Sequence, residues 1–84
     1  MYSMNEKIAS AVVPSVKDDR LEAEKSQTAT AAFAEVSVGT WRTYEIDRNA
    51  VTPKARAKCD KAAAWLAKIA KARRAHFAAG TEAA

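Results

Sequence analysis

The 84-residue sequence is poor in the residues that carry most chemistry: one cysteine, one histidine, two glycines and two prolines. A lone Cys59 cannot close an intramolecular disulfide, which suits a reducing compartment. Together with His76 it supplies two metal ligands, too few for a closed zinc site within one chain. With Gly39 and Gly80 as the only glycines, neither a phosphate-binding P-loop nor a dinucleotide fingerprint can be written. No apolar run reaches the roughly 18 residues that span a bilayer. The stretch from Ile8 to Val13 is too short for a signal-peptide core. These absences predict a cytoplasmic protein with no membrane partner, no cofactor, no metal and no enzymatic activity.

Bulky apolar groups are scarce as well. Of the 41 residues in the hydrophobic class, 21 are alanine, which leaves 20 larger side chains for a core. Such a chain makes one small domain over residues 1–84, with an N-terminal segment through Pro14 and a frayed tail at 81–84. Its thin core suggests help from a partner.

Charge is unevenly placed. Residues 1–52 hold six Lys/Arg and eight Asp/Glu, a net of −2, whereas residues 53–84 hold eight and two, a net of +6. Separation of this kind points to an acidic partner, inside the molecule or outside it.

Ile8 and Val12 stand four apart before Pro14, as in a short helix, though a strand fits equally. Ser15 followed by Asp18 has the form of a capping box, so a charged helix is expected from about Val16 to Gln27. From Thr28 the β-branched and aromatic residues accumulate. With Gly39-Thr40 as a two-residue turn, they predict a β-hairpin of residues 29–38 and 41–48. Thr52 and Pro53 open a long helix that should run to about residue 79, before Gly80. The expected fold is therefore α+β, the hairpin packed on the C-terminal helix. The alternative is an all-α bundle, because Ala29, Ala32, Phe33 and Val36 also lie at helical spacing.

On the long helix, Cys59, Ala62, Leu66, Ile69, Arg73 and Phe77 draw one apolar seam, flanked by Trp65 and His76. Lys54, Lys61, Lys68 and Lys71 fall on another side, with Lys58 at the boundary. Lysines beside an aromatic can track phosphates, dock on an acidic protein surface, or lie against the acidic helix of the same molecule. Near the expected turn, Trp41, Arg42 and Tyr44 are residue types enriched at binding hot spots. One of the two tryptophans should be buried and the other partly exposed. Cys59 and His76 lie 17 positions apart on one helix, about 25 Å by its rise, and cannot act as a nucleophile–base pair.

The resulting expectation is a non-enzymatic interaction protein, an adaptor or inhibitor of the kind that phages and mobile elements encode. It would bind a larger acidic protein through Trp41, Arg42, Tyr44, Lys54, Lys58, Lys61, Trp65, Lys68 and Lys71. The alternative is nucleic-acid binding through the basic helix. A third reading is a homodimer through Cys59, Leu66, Ile69 and Phe77.

Overall fold

Short polar caps decide where this chain turns helical. In the computed structural model, which describes residues 14–83, Ser15 accepts from the Asp18 amide while Asp18 accepts from the Ser15 amide. That capping box opens α1 (Val16–Glu22). Ser26 caps α2 (Gln27–Ala34) through the Ala29 amide, and Ser37 caps α3 (Val38–Ile46) through the Thr40 amide. A 3₁₀ turn at Arg48–Ala50 leads to Thr52, whose hydroxyl accepts from the Ala55 amide at the start of α4 (Pro53–Ala83). Among the described residues there is no strand.

The expected α+β architecture is thus replaced by its all-α alternative. The segments read as hairpin strands, 29–38 and 41–48, form α2, the turn after it, α3 and the start of the 3₁₀ turn. Gly39 and Thr40 are no hairpin turn; they sit in the first turn of α3, and no described glycine has a positive φ. β-Propensity mostly records fit to a half-buried pleated surface. Here tertiary packing overrides it, because Trp41 and Tyr44, three apart, bury one helical face. The charged helix is shorter than expected, ending at Glu22, and Gln27 opens the next one. The long helix continues through Gly80 to Ala83. The Ile8–Val12 segment lies outside the described residues.

The first two helices, α1 and α2, end alike. After α1, Glu24 takes φ 58, its amide donating to Leu21 O and the Lys25 amide to Arg20 O. After α2, Glu35 takes φ 63, its amide donating to Ala32 O and the Val36 amide to Ala31 O. Each is a Schellman close with a glutamate where glycine is favoured. A non-glycine residue there carries strain on the order of 1 kcal/mol. Replacing exposed Glu35 by Gly should therefore raise stability by about 0.5–1 kcal/mol, or a few degrees in Tm. A lower melting temperature would show that the Glu35 side chain contributes more than its backbone costs.

The core forms where α1, α2 and α3 meet one side of α4. Trp41, Cys59, Ala62 and Leu66 have no exposed surface, and Ala31 and Ala34 bring α2 close. With so many alanines at the contacts, Trp41 is the largest fully buried side chain among the described residues, followed by Leu66. The C-terminal half of α4 is clamped to α1 by charge. Arg74 Nη1 lies 3.0 Å from Asp19 Oδ1, and Arg73 Nη2 lies 2.7 Å from Glu24 Oε2. The acidic helix is therefore an internal partner of the basic one, through arginines rather than lysines.

Candidate nucleic-acid interface

α2 and α3 are joined by three residues, Glu35, Val36 and Ser37. Two helices joined by so short a turn share the element order of a helix-turn-helix unit. Helical periodicity splits α3 into two sides. Trp41, Tyr44 and the side chain of Glu45 are buried. Gly39, Arg42 and Ile46 are exposed on the opposite side, with Thr43 half-buried beside them. Ile46 keeps 87% of its surface exposed, unusual for a branched aliphatic side chain.

A buried polar cluster fixes how α3 is presented. Arg20 of α1 reaches Glu45 with Nε and Nη2, while the Trp41 indole donates to Glu45 Oε2 at 2.6 Å. Gln27 Nε2 donates to Glu45 Oε1 at 3.2 Å, and Arg20 also donates to Lys25 O at 3.1 Å. The Arg20 and Glu45 side chains are 8% and 5% exposed, so the pair is nearly removed from water. Burial pushes the Glu45 carboxyl up, but hydrogen bonds from Arg20, Trp41 and Gln27 outweigh it and hold the group below its ordinary value.

The cluster extends to the surface. Arg42 Nε donates to Gln27 Oε1 at 3.1 Å, which orients the guanidinium while its terminal nitrogens make no hydrogen bond among the described residues. Lys17 of α1 lines the same hollow of about 290 Å³ as Gln27, Arg42 and Ile46. On the other flank of α3 an open groove of about 540 Å³ runs past Gly39 and Thr43 to Thr52 and Ala55. It ends at the first turn of α4, where the positive end of the helix dipole favours an anion.

A second cluster anchors the chain just after α3. Tyr44 Oη donates to Asp60 Oδ1 at 2.6 Å, and Arg48 grips both Asp60 oxygens at 2.8 and 2.6 Å. The Arg48 and Tyr44 hydrogen bonds pull the Asp60 carboxyl down to about 2. Burial, then the hydrogen bond to Asp60, push the Tyr44 phenol up.

Of the nine residues expected to meet a partner, two are structural. Trp41 is fully buried and Tyr44 is 4% exposed, which corrects their reading as exposed hot spots. Arg42 is exposed. Lys54, Lys61, Lys68 and Lys71 are exposed, and Lys58 and Trp65 are half-buried. The proposed dimer seam is occupied within the chain: Cys59 and Leu66 have no exposed surface and Ile69 packs against the core. Phe77 alone of that set is largely exposed. Burial also pushes the Cys59 thiol up, away from its reactive form.

Sequence reasoning missed Gln27, Gly39, Thr43 and Ile46. The Ser37 cap with Thr40 three residues on was the available signal, since it starts α3 where a turn was placed. Among the described residues no three His, Cys, Asp or Glu side chains come together as metal ligands. Nor is any helix there long and apolar enough to cross a membrane. Compared with known protein families, curated proteins and solved structures, the chain matches none.

Proposed function

We propose that the protein binds duplex DNA by setting the outer side of α3 into the major groove, with α2 and the start of α4 against the phosphates. The observation that carries this reading is the helix-turn-helix layout, whose second helix turns Gly39, Arg42, Thr43 and Ile46 to solvent. A major groove admits one α-helix, and its base edges are read by side chains of these types. Arg42, held at Nε by Gln27, can offer its terminal nitrogens to guanine O6 and N7. Thr43 and Ile46 can contact thymine methyl groups. Lys17, which lines the same hollow as Arg42, and the positive end of the α4 dipole favour phosphate contacts that set register without reading sequence.

Gly39 favours the same reading. A Cβ at this position would meet only Ser37 Oγ, at 3.9 Å, so neither the fold's packing nor its backbone requires glycine there. Glycine within a helix costs about 0.5–1 kcal/mol relative to alanine. A bare backbone on the outer side of α3 lets another surface approach closely.

The test is fluorescence anisotropy on a pool of labelled duplexes of random sequence, at several salt concentrations. Affinity should fall steeply as salt rises. Arg42→Ala should weaken binding to the best sequences selected from the pool by about tenfold or more, the worth of one bidentate base contact. Gly39→Glu should abolish binding with the helical circular dichroism unchanged. Full duplex binding by Gly39→Glu would refute the assignment to α3.

A further inference from the structure

The arginines and lysines of α4 are used differently. Arg56 donates to Arg48 O and Val51 O, Arg73 pairs with Glu24, and Arg74 pairs with Asp19. None of Lys54, Lys58, Lys61 or Lys68 makes an ion pair among the described residues. These four recur at intervals of four, three and seven, which places them on one stripe of the helix with Trp65 in line. Like charges so close repel one another, and none of the four is in an ion pair among the described residues.

The aromatic part of the stripe is shared between two helices. Phe33 of α2 stacks on Trp65 with centroids 4.0 Å apart and an interplanar angle of 15°. Lys25 Nζ lies 5.5 Å from the Trp65 ring centroid. Phe33 nevertheless keeps 49% of its surface exposed. Beside it is a pocket of about 210 Å³, floored by Phe33 and Ala34 and rimmed by Lys58, Lys61 and Glu35.

We propose that this face is a second docking surface, which takes an acidic segment of a partner protein and seats one of its apolar side chains in the pocket beside Phe33. Charge complementarity identifies the occupant: a row of four lysines, with Glu35 the one acid among the pocket's lining residues, asks for carboxylates. The pocket chooses between anions. A duplex satisfies the lysines with phosphates but keeps its bases stacked inside and has nothing apolar to fill a cleft floored by phenylalanine, whereas an acidic peptide with a leucine satisfies both. The pocket and Lys58–Lys68 lie apart from the outer side of α3, so the two surfaces can be tested separately, although Lys54 in the first turn of α4 and α2 border both. A protein with both would tether an acidic partner to DNA.

The probe is a dye-labelled peptide in which glutamates surround a single leucine, compared with its all-glutamate counterpart and with single-stranded oligo-dT. The leucine peptide should bind about tenfold more tightly than the all-glutamate one, a gap of about 1.4 kcal/mol. Phe33→Ala should erase that gap, and Lys58→Glu with Lys61→Glu should abolish binding of both peptides. Arg42→Ala should bind the leucine peptide like the parent protein, which separates this surface from the DNA-reading one. Each variant is checked for parental helical content. Equal affinity for the two peptides, or no binding of either, would overturn the proposal. Tighter binding of oligo-dT, lost in the lysine variants, would assign the face to nucleic acid instead.

Discussion

Trp41→Ala should be the most damaging single truncation in this protein. The indole is fully buried at the junction of the helices, and its N–H donates to Glu45. Removing a buried tryptophan costs about 3–5 kcal/mol in lost transfer energy and cavity. The alanines lining this core have no longer side chains with which to refill the space. Small domains hold about 5–15 kcal/mol in total, so the variant should melt more than about 12 °C below the parent. Trp41→Phe separates the two contributions. It keeps most of the ring volume and loses the donor, at a cost of about 1–3 kcal/mol. Thermal melts followed by circular dichroism decide the matter. A Trp41→Ala protein that melts within a few degrees of the parent would mean the core is organised around something else.

The Arg20–Glu45 pair should behave as a buried ion pair does. Glu45→Gln leaves Arg20 charged and nearly enclosed, at a cost of about 3–5 kcal/mol. Arg20→Met in the same chain should recover much of that loss, since an uncharged pair needs no compensation. The pair also sets a pH dependence. Because the folded Glu45 carboxyl lies below its ordinary 4.5, its contribution is complete above that pH and disappears as pH falls through the folded value. Asp60, lowered from 3.8 to about 2, adds a loss in the same direction over that interval. Stability should therefore be flat near neutrality and fall as pH drops below about 4.5, with a shallower fall in Glu45→Gln. Urea midpoints across this range test it, and identical acid profiles for parent and Glu45→Gln would contradict it.

These two groups also explain what could be read from the sequence. The capping box at Ser15 and Asp18 and the Thr52-Pro53 start of α4 were legible because each depends on residues within one turn of helix. So was the division between the tryptophans, one buried and one half-exposed. The hairpin reading failed where local preference and tertiary packing disagree. Val36, Val38, Thr40, Trp41 and Thr43 favour strands in isolation, yet Ser37 caps a helix that buries Trp41 and Tyr44. The turn before it was hidden because its left-handed position holds Glu35 instead of glycine. The Glu45 cluster could not be foreseen, since Arg20 and Gln27 lie 25 and 18 positions away in sequence.

The same cluster links stability to presentation. Glu45 receives Gln27, Gln27 receives Arg42, and so the one guanidinium on the outer side of α3 is oriented from the core. Substitutions at Gln27 should therefore weaken DNA binding with less damage to the fold than those at Glu45.

The most direct test is an amide NMR titration of the full chain with a short DNA duplex. Chemical-shift changes and line broadening should concentrate on Gln27, Ser37–Ile46 and the first turn of α4, leaving Lys58–Lys68 nearly unmoved. A footprint along Lys58–Lys68 with α3 silent would contradict α3 as the reading element.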